Sequence, residues 1–119
     1  MTNETTPAQI IKQLKQEAHK LRNQGYWLML GAQSLEQCAL SSIALPQKKR
    51  KAYAAEARKE FKQAAECYAQ AAIKAEAWLM VDETKGVRWF YKKHPELLAL
   101  RSQKLMAKSK EMFKLLKAI

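Results

Sequence analysis

Residues that turn or break a chain are scarce in this sequence. It has three glycines and three prolines in 119 residues. A fold of many short strands needs such residues at its corners, so their shortage argues against a β-sandwich or β-barrel. Alanine, leucine, glutamine, lysine and glutamate are abundant, and these residues favour helix. The length suits one domain, so we predict a single all-α domain over residues 1–119, with residues 1–5 as a disordered tail.

Side chains that carry chemistry are also few. The two histidines, His19 and His94, and the two cysteines, Cys38 and Cys67, do not have the spacing of metal ligands. There is no glycine-rich phosphate loop and no Gly-x-Ser-x-Gly motif. We therefore expect no metal, no cofactor and no catalytic residues. We expect both cysteines to be reduced and buried in helical seams.

Long apolar runs are missing as well. None approaches the roughly 20 residues that a membrane-spanning helix needs, and the first fifteen residues do not resemble a secretory signal. We expect a cytoplasmic protein. The run Lys48-Lys49-Arg50-Lys51 after Pro46 resembles a nuclear-import signal, which would allow a nuclear location in a eukaryote.

Acidic residues are outnumbered. The chain carries 22 lysines and arginines against 11 acidic residues, a net charge of +11. Residues 85–119 hold most of the excess, with ten basic residues against two acidic ones. Such a distribution favours an anionic partner, either nucleic acid or an acidic protein surface.

The first long segment spaces small and apolar residues regularly. Thr6-Pro7 is typical of a helix start, with a hydroxyl cap before a proline. Because the spacing continues through Gly25, we predict one helix from about 7 to 44. Steps of three and four residues connect one seam, as in a heptad pattern: Ile11, Leu14, Ala18, Leu21, Gly25, Leu28, Ala32, Leu35 and Ala39.

A second seam follows Pro46. It predicts a second helix from about 47 to 80, antiparallel to the first because the connection is short. Small seam residues should let the two backbones approach closely. The second seam comprises Ala54, Ala57, Phe61, Ala64, Tyr68, Ala71, Ala75 and Trp78.

A shorter third helix is predicted from about 95 to 118. Its main stripe is Leu98, Leu105, Met112 and Leu116, with Met106 and Phe113 beside it. The predicted architecture is a long helical hairpin with a third helix packed on it, similar to a three-helix bundle. Helices of unequal length leave apolar surface uncovered, so we expect self-association, most simply as a dimer.

Two basic segments are candidate binding sites. The first is the run after Pro46, where the positive end of the helix dipole disfavours cations; replacing it with glutamine should stabilise the fold slightly. We expect this hairpin tip to lie far from the third helix's basic face. The second combines aromatic and basic residues before and along the third helix, a mixture that suits single-stranded nucleic acid. The predicted nucleic-acid or anion-binding residues are Lys48, Lys49, Arg50, Lys51, Arg88, Trp89, Tyr91, Lys92, Lys93, Arg101, Lys104 and Lys108.

The segment RWFYKKH, residues 88–94, has the form Arg-x5-His. It resembles the motif of HEPN-domain ribonucleases, small all-α proteins in which two such motifs pair. This resemblance covers seven residues. It implies that Arg88 contacts phosphate and that His94 serves the chemistry at the 2′-hydroxyl. Trp89 stands where that motif usually has a polar residue, and Pro95 follows the histidine at once.

Three hypotheses follow for function. The leading one is a small, basic, non-enzymatic protein that binds nucleic acid through its lysine- and arginine-rich surfaces. The second is an adaptor or chaperone-like helical module that binds an acidic or helical partner. The third is a HEPN-like ribonuclease that uses Arg88 and His94.

Overall fold

A computed structural model describes residues 6–40, 45–82 and 93–119. The described residues form three helices, α1 (Pro7–Leu40), α2 (Gln47–Val81) and α3 (His94–Ala118). Helices α1 and α2 form the predicted antiparallel hairpin, and α3 packs along α2 on the side away from α1. The molecule is flat, measuring 63 × 34 × 17 Å. The predicted all-α architecture is confirmed, while the predicted tail at 1–5 and the last turn of the first helix, 41–44, lie outside the described residues.

Helix α1 begins at a reciprocal cap. The Gln9 backbone N–H donates to the Thr6 hydroxyl over 3.2 Å, and the Thr6 backbone N–H donates to the Gln9 side-chain oxygen over 3.0 Å. This capping box satisfies two backbone donors that a helix start otherwise leaves unpaired. The predicted helix start at Thr6-Pro7 is therefore confirmed, and Gln9 adds a partner that the sequence analysis missed.

The seam between α1 and α2 matches the prediction. All eight predicted positions on α2 are buried, and Tyr68 and Phe61 are the largest fully buried side chains. Gly25 lies against the Tyr68 ring, where an added Cβ would stand 2.9 Å from ring carbons and 3.2 Å from the Cys67 Cβ. Only a residue without a side chain fits this approach, and α1 runs through residues 22–25 as one helix.

Another seam, between α2 and α3, includes hydroxyl groups. The Ser102 hydroxyl donates to the Ala65 carbonyl over 2.7 Å, and the Ser109 hydroxyl donates to the Arg58 carbonyl over 3.0 Å. These serines alternate along α3 with the predicted residues Leu98 and Leu105, again in steps of three and four. Small side chains that bond to the opposing backbone let the two helices pack closely.

An ion pair links the two outer helices across α2. Glu36 on α1 is only 8% exposed, and its two carboxylate oxygens accept hydrogen bonds from Lys108 on α3 at 3.1 and 3.0 Å. These bonds raise the pKa of Lys108 above its usual value. The pair satisfies a carboxylate that would otherwise be costly to bury.

The predicted burial of the cysteines is wrong for Cys38, which is exposed, while Cys67 is partly buried. Leu35 and Ala39 occupy the seam near Cys38, and the cysteine itself lies beside that seam. Both cysteines are free thiols. Burial raises the pKa of the Cys67 thiol.

Candidate functional site

The hairpin tip and the end of α3 lie together. The Gln47 side-chain amide at the start of α2 donates to the carbonyl of Ile119, just after α3. A cavity of about 530 Å³ between these ends is lined by Leu45, Arg50 and Leu115, among others. The expectation that the tip lies far from the third helix is therefore wrong. Helix α3 is antiparallel to α2 and extends far enough to finish level with its first turn.

This junction gathers positive charge. We call it the basic end, and it comprises Lys48, Lys49, Arg50, Lys51, Lys114 and Lys117. Lysines 48, 49, 51, 114 and 117 are exposed, and Arg50 is half-buried. No aspartate or glutamate occurs in the described stretches 37–40, 45–53 and 112–119 that form this part of the molecule. Glu36 and Glu111 adjoin these stretches, and the excess of cations still creates a positive potential that attracts anions.

Arg50 has a structural role. Its Nε donates to the carbonyl of Ala39 over 3.1 Å, in the last turn of α1. This contact places the guanidinium beside the backbone of the last described turn of α1. This cation, which the dipole disfavours at the start of α2, thus gains a hydrogen-bond acceptor on α1. The expectation that glutamine at this position would stabilise the fold does not fit this contact.

The start of α2 is open to an anion. Its N-cap residue, Pro46, offers no side-chain hydrogen bond, and the first turn contains no acidic residue. The Pro46 carbonyl accepts from the N–H groups of Lys49 and Arg50. The first N–H groups of a helix and its dipole together favour a negatively charged ligand. At the tip this preference coincides with the exposed ammonium groups.

An aromatic residue borders the basic end on α3. The Phe113 ring is 37% exposed, with the Arg58 guanidinium 4.4 Å and the Lys117 ammonium 4.3 Å from its centroid. Such cation–π contacts hold the two cations in place. The sequence analysis counted Phe113 as packing and did not propose Arg58, Lys114 or Lys117 for binding. The signal that could have found them is the length of α3, which brings its last turn to the hairpin tip.

The other predicted residues are more scattered. Lys93 is exposed just before α3, at the end of the molecule away from the tip, and Lys104 is exposed on α3. Arg101 lies over the Tyr68 ring, 5.4 Å from its centroid. Lys108 is held by Glu36. Four predicted residues, Arg88, Trp89, Tyr91 and Lys92, lie outside the described residues.

His94, the second half of the HEPN-like motif, is half-buried in the first turn of α3. A small cavity of about 140 Å³ brings it together with Lys15, His19 and Arg22 of α1. Burial lowers the pKa of His94, and the nearby Arg22 charge lowers it further. The histidine is therefore largely neutral at pH 7. The ribonuclease hypothesis stays a prediction, since Arg88 lies outside the described residues.

Within the described parts of the chain, no three or more histidine, cysteine or acidic side chains are grouped as metal ligands would be. No helix in these parts is both long and apolar enough to cross a membrane. Comparison with known proteins found no matching family model, no matching curated protein and no matching solved structure.

Proposed function

We propose that this protein binds nucleic acid through phosphate contacts at the basic end. The observation that supports this proposal best is the convergence of six cations from two helices, with Glu111, one helical turn before Lys114, as a neighbouring acidic residue. Phosphate groups are the anions that a nucleic acid offers at regular spacing, and lysine and arginine are their usual partners.

The chemistry at the basic end favours backbone contacts over base reading. Lysine ammonium groups on flexible stems act as point charges and do not impose the geometry of a base edge. Phe113, the aromatic ring that borders this end on α3, already has two cations against it. We therefore expect binding with little sequence preference and with strong dependence on salt.

A matched pair of variants tests this proposal. Lys48→Gln with Lys49→Gln removes two charges from the tip, and Lys12→Gln with Lys20→Gln removes two exposed charges from the opposite half of α1. Both variants have the same net charge, so nonspecific attraction falls equally in both. We expect the tip variant to bind a labelled oligonucleotide at least about tenfold more weakly than wild type in low salt, where each phosphate contact counts most. We expect the α1 variant to lose about threefold or less from the general field.

Two results would count against the proposal. Equal loss in both variants would reduce the effect to net charge. Undetectable binding of wild type to single or double strands at about 50 mM salt would remove the nucleic-acid hypothesis altogether. The second hypothesis, an adaptor for an acidic protein, would then take its place, because the same cations suit clustered carboxylates.

A further inference from the structure

An apolar groove runs between α2 and α3 at the end away from the hairpin tip. It encloses about 1080 Å³. Ile73 and Met80 on its α2 side are 56% and 70% exposed, and Pro95 and Ala99 line its α3 side. Apolar side chains of this size usually mark a contact surface when they share one groove.

The acidic residues of this face lie at the groove. Glu76 and Glu96 line it directly. Glu66 lies seven residues, or two helical turns, from the groove residue Ile73, and therefore on the same side of α2. All three carboxylates are exposed. The basic residues Arg101 and Lys104 of this half lie on the opposite flank of α3 and do not line the groove.

The same face becomes basic toward the hairpin tip. Positions seven or fourteen residues from a groove residue share its side of the helix. From Ala99 this relation leads to Met106 and Phe113, and from Gln103 it leads to Lys110 and Lys117. On α2 the same relation leads from Ala69 to Lys62 and from Ile73 through Glu66 to Lys59. On α3 the face therefore has an acidic, apolar half and a basic half that carries the Phe113 ring, while Lys59 and Lys62 of α2 lie level with its middle.

We propose that this face is the surface on which two copies of the chain associate, in antiparallel orientation. A two-fold axis that lies in the interface, perpendicular to the helices, places the acidic half of each copy on the basic half of the other. The parallel arrangement would oppose like charges, which is costly. The inference does not rest on nucleic-acid binding, although Lys117 belongs to both surfaces and Lys48, eighteen residues or five helical turns before Glu66, lies on the same side of α2.

The spacing along α3 agrees with a single axis. Glu96 and Lys117 are centred on the point between Met106 and Ala107, and so are Gln103 and Lys110. An axis at that point brings Glu96 of one copy opposite Lys117 of its mate, twice per dimer. It also brings Phe113 of one copy level with position 100 of its mate, one residue past the groove residue Ala99.

The area is adequate for a stable pair. Helix α3 has 25 residues, about 37 Å in length, and two adjacent helices present a width of about 20 Å. Their product is roughly 700 Å² per copy, close to the about 800 Å² per partner of standard protein interfaces.

Sedimentation equilibrium of the full chain tests the proposal. We expect wild type to associate as a dimer at micromolar concentrations, and Ile73→Glu to weaken the dimer at least about tenfold, because it buries a charge in the groove. Leu100→Glu is the matched control, since Leu100 is 45% exposed but does not line the groove; it should leave the dimer unchanged. Both substitutions are at exposed positions, and circular dichroism verifies that the variants are folded.

A charge exchange tests the orientation. Glu96→Lys and Lys117→Glu should each weaken the dimer several-fold, and the two together in one chain should restore it toward the wild-type affinity. A wild-type chain that stays monomeric up to about 200 μM, far above the range of specific dimers, would overturn the proposal. A loss of dimer affinity in Leu100→Glu as large as that in Ile73→Glu would also overturn the proposal. A double variant that associates more weakly than either single variant would overturn the antiparallel arrangement.

Discussion

Two glycines in α1 offer a direct comparison of a rigid neighbour with a flexible one. At Gly25 a Cβ would stand 2.9 Å from the ring of the fully buried Tyr68. At Gly31 it would stand 2.7 Å from a carboxylate oxygen of Glu60, the far end of a flexible side chain that can move. Both glycines lie inside the same helix. Replacement by alanine therefore gains the same helix propensity at each, about 1 kcal/mol.

The cost differs between the two positions. Overpacking a well-filled interior costs about 1–3 kcal/mol, so Gly25→Ala should be destabilised by up to about 2 kcal/mol after the propensity gain. Gly31→Ala should be stabilised by about 0.5–1 kcal/mol, because Glu60 can turn away. For a chain of this length 1 kcal/mol corresponds to roughly 4 °C in Tm. The variants should therefore melt about 2–12 °C apart in circular dichroism scans. Equal stabilisation of both would refute the close approach of α1 to Tyr68.

Further predictions concern single contacts. Arg50→Ala should lower the free energy of unfolding by about 1 kcal/mol in urea titrations, because the Ala39 carbonyl loses a charged donor. Lys49→Ala, the control, should change it by less than about 0.5 kcal/mol. Equal effects of the two substitutions would contradict the structural role of Arg50. Because the pKa of His94 is lowered in the folded chain, the unfolded chain binds a proton at this histidine more readily. The contribution of neutral His94 to the free energy of unfolding should therefore be complete above about pH 6.5 and should fall as the pH decreases below that value. His94→Asn should flatten this pH dependence of Tm. An unchanged pH profile of Tm would contradict the assignment of this dependence to His94. Cys38 should react with a thiol reagent faster than Cys67, because Cys67 is less exposed and burial raises its pKa; a faster reaction of Cys67 would contradict its partial burial.

The hairpin was predictable because both of its seams use the same few residue types. Alanine, glycine and large apolar residues recur every three or four positions, and nothing in that pattern competes with helix. Gly25 could have been read as a helix end, and the unbroken spacing correctly favoured continuity. The Tyr68 ring gives the physical reason, since it occupies the space that a side chain at Gly25 would need.

The seam of α3 was only partly predictable, because it includes polar residues. Ser102 and Ser109 are polar, so a search for apolar periodicity passes over them, although both donate to backbone carbonyls of α2. The position of the basic end was missed because it depends on where α3 lies along α2. That register is set by contacts between residues far apart in sequence, such as Gln47 with Ile119 and Glu36 with Lys108.

The surroundings of the basic run after Pro46 could also not be predicted from the sequence alone. In isolation its cations oppose the dipole of the helix they begin. In the folded chain they stand beside the carboxyl end of α3, where positive charge is favourable, and Arg50 donates to the Ala39 carbonyl of α1. The exposed lysines of the run make no comparable contact with the fold among the described residues, and they remain the candidates for a ligand.

The salt dependence of oligonucleotide binding tests the central proposal most directly. Fluorescence anisotropy across a series of salt concentrations gives the slope of log affinity against log salt, which is close to one per phosphate contact. We expect a wild-type slope of roughly −3 to −5 from the cations of the basic end, and a slope about two units shallower for Lys48→Gln with Lys49→Gln. A wild-type slope near zero, or the same slope in both proteins, would contradict phosphate binding at the basic end.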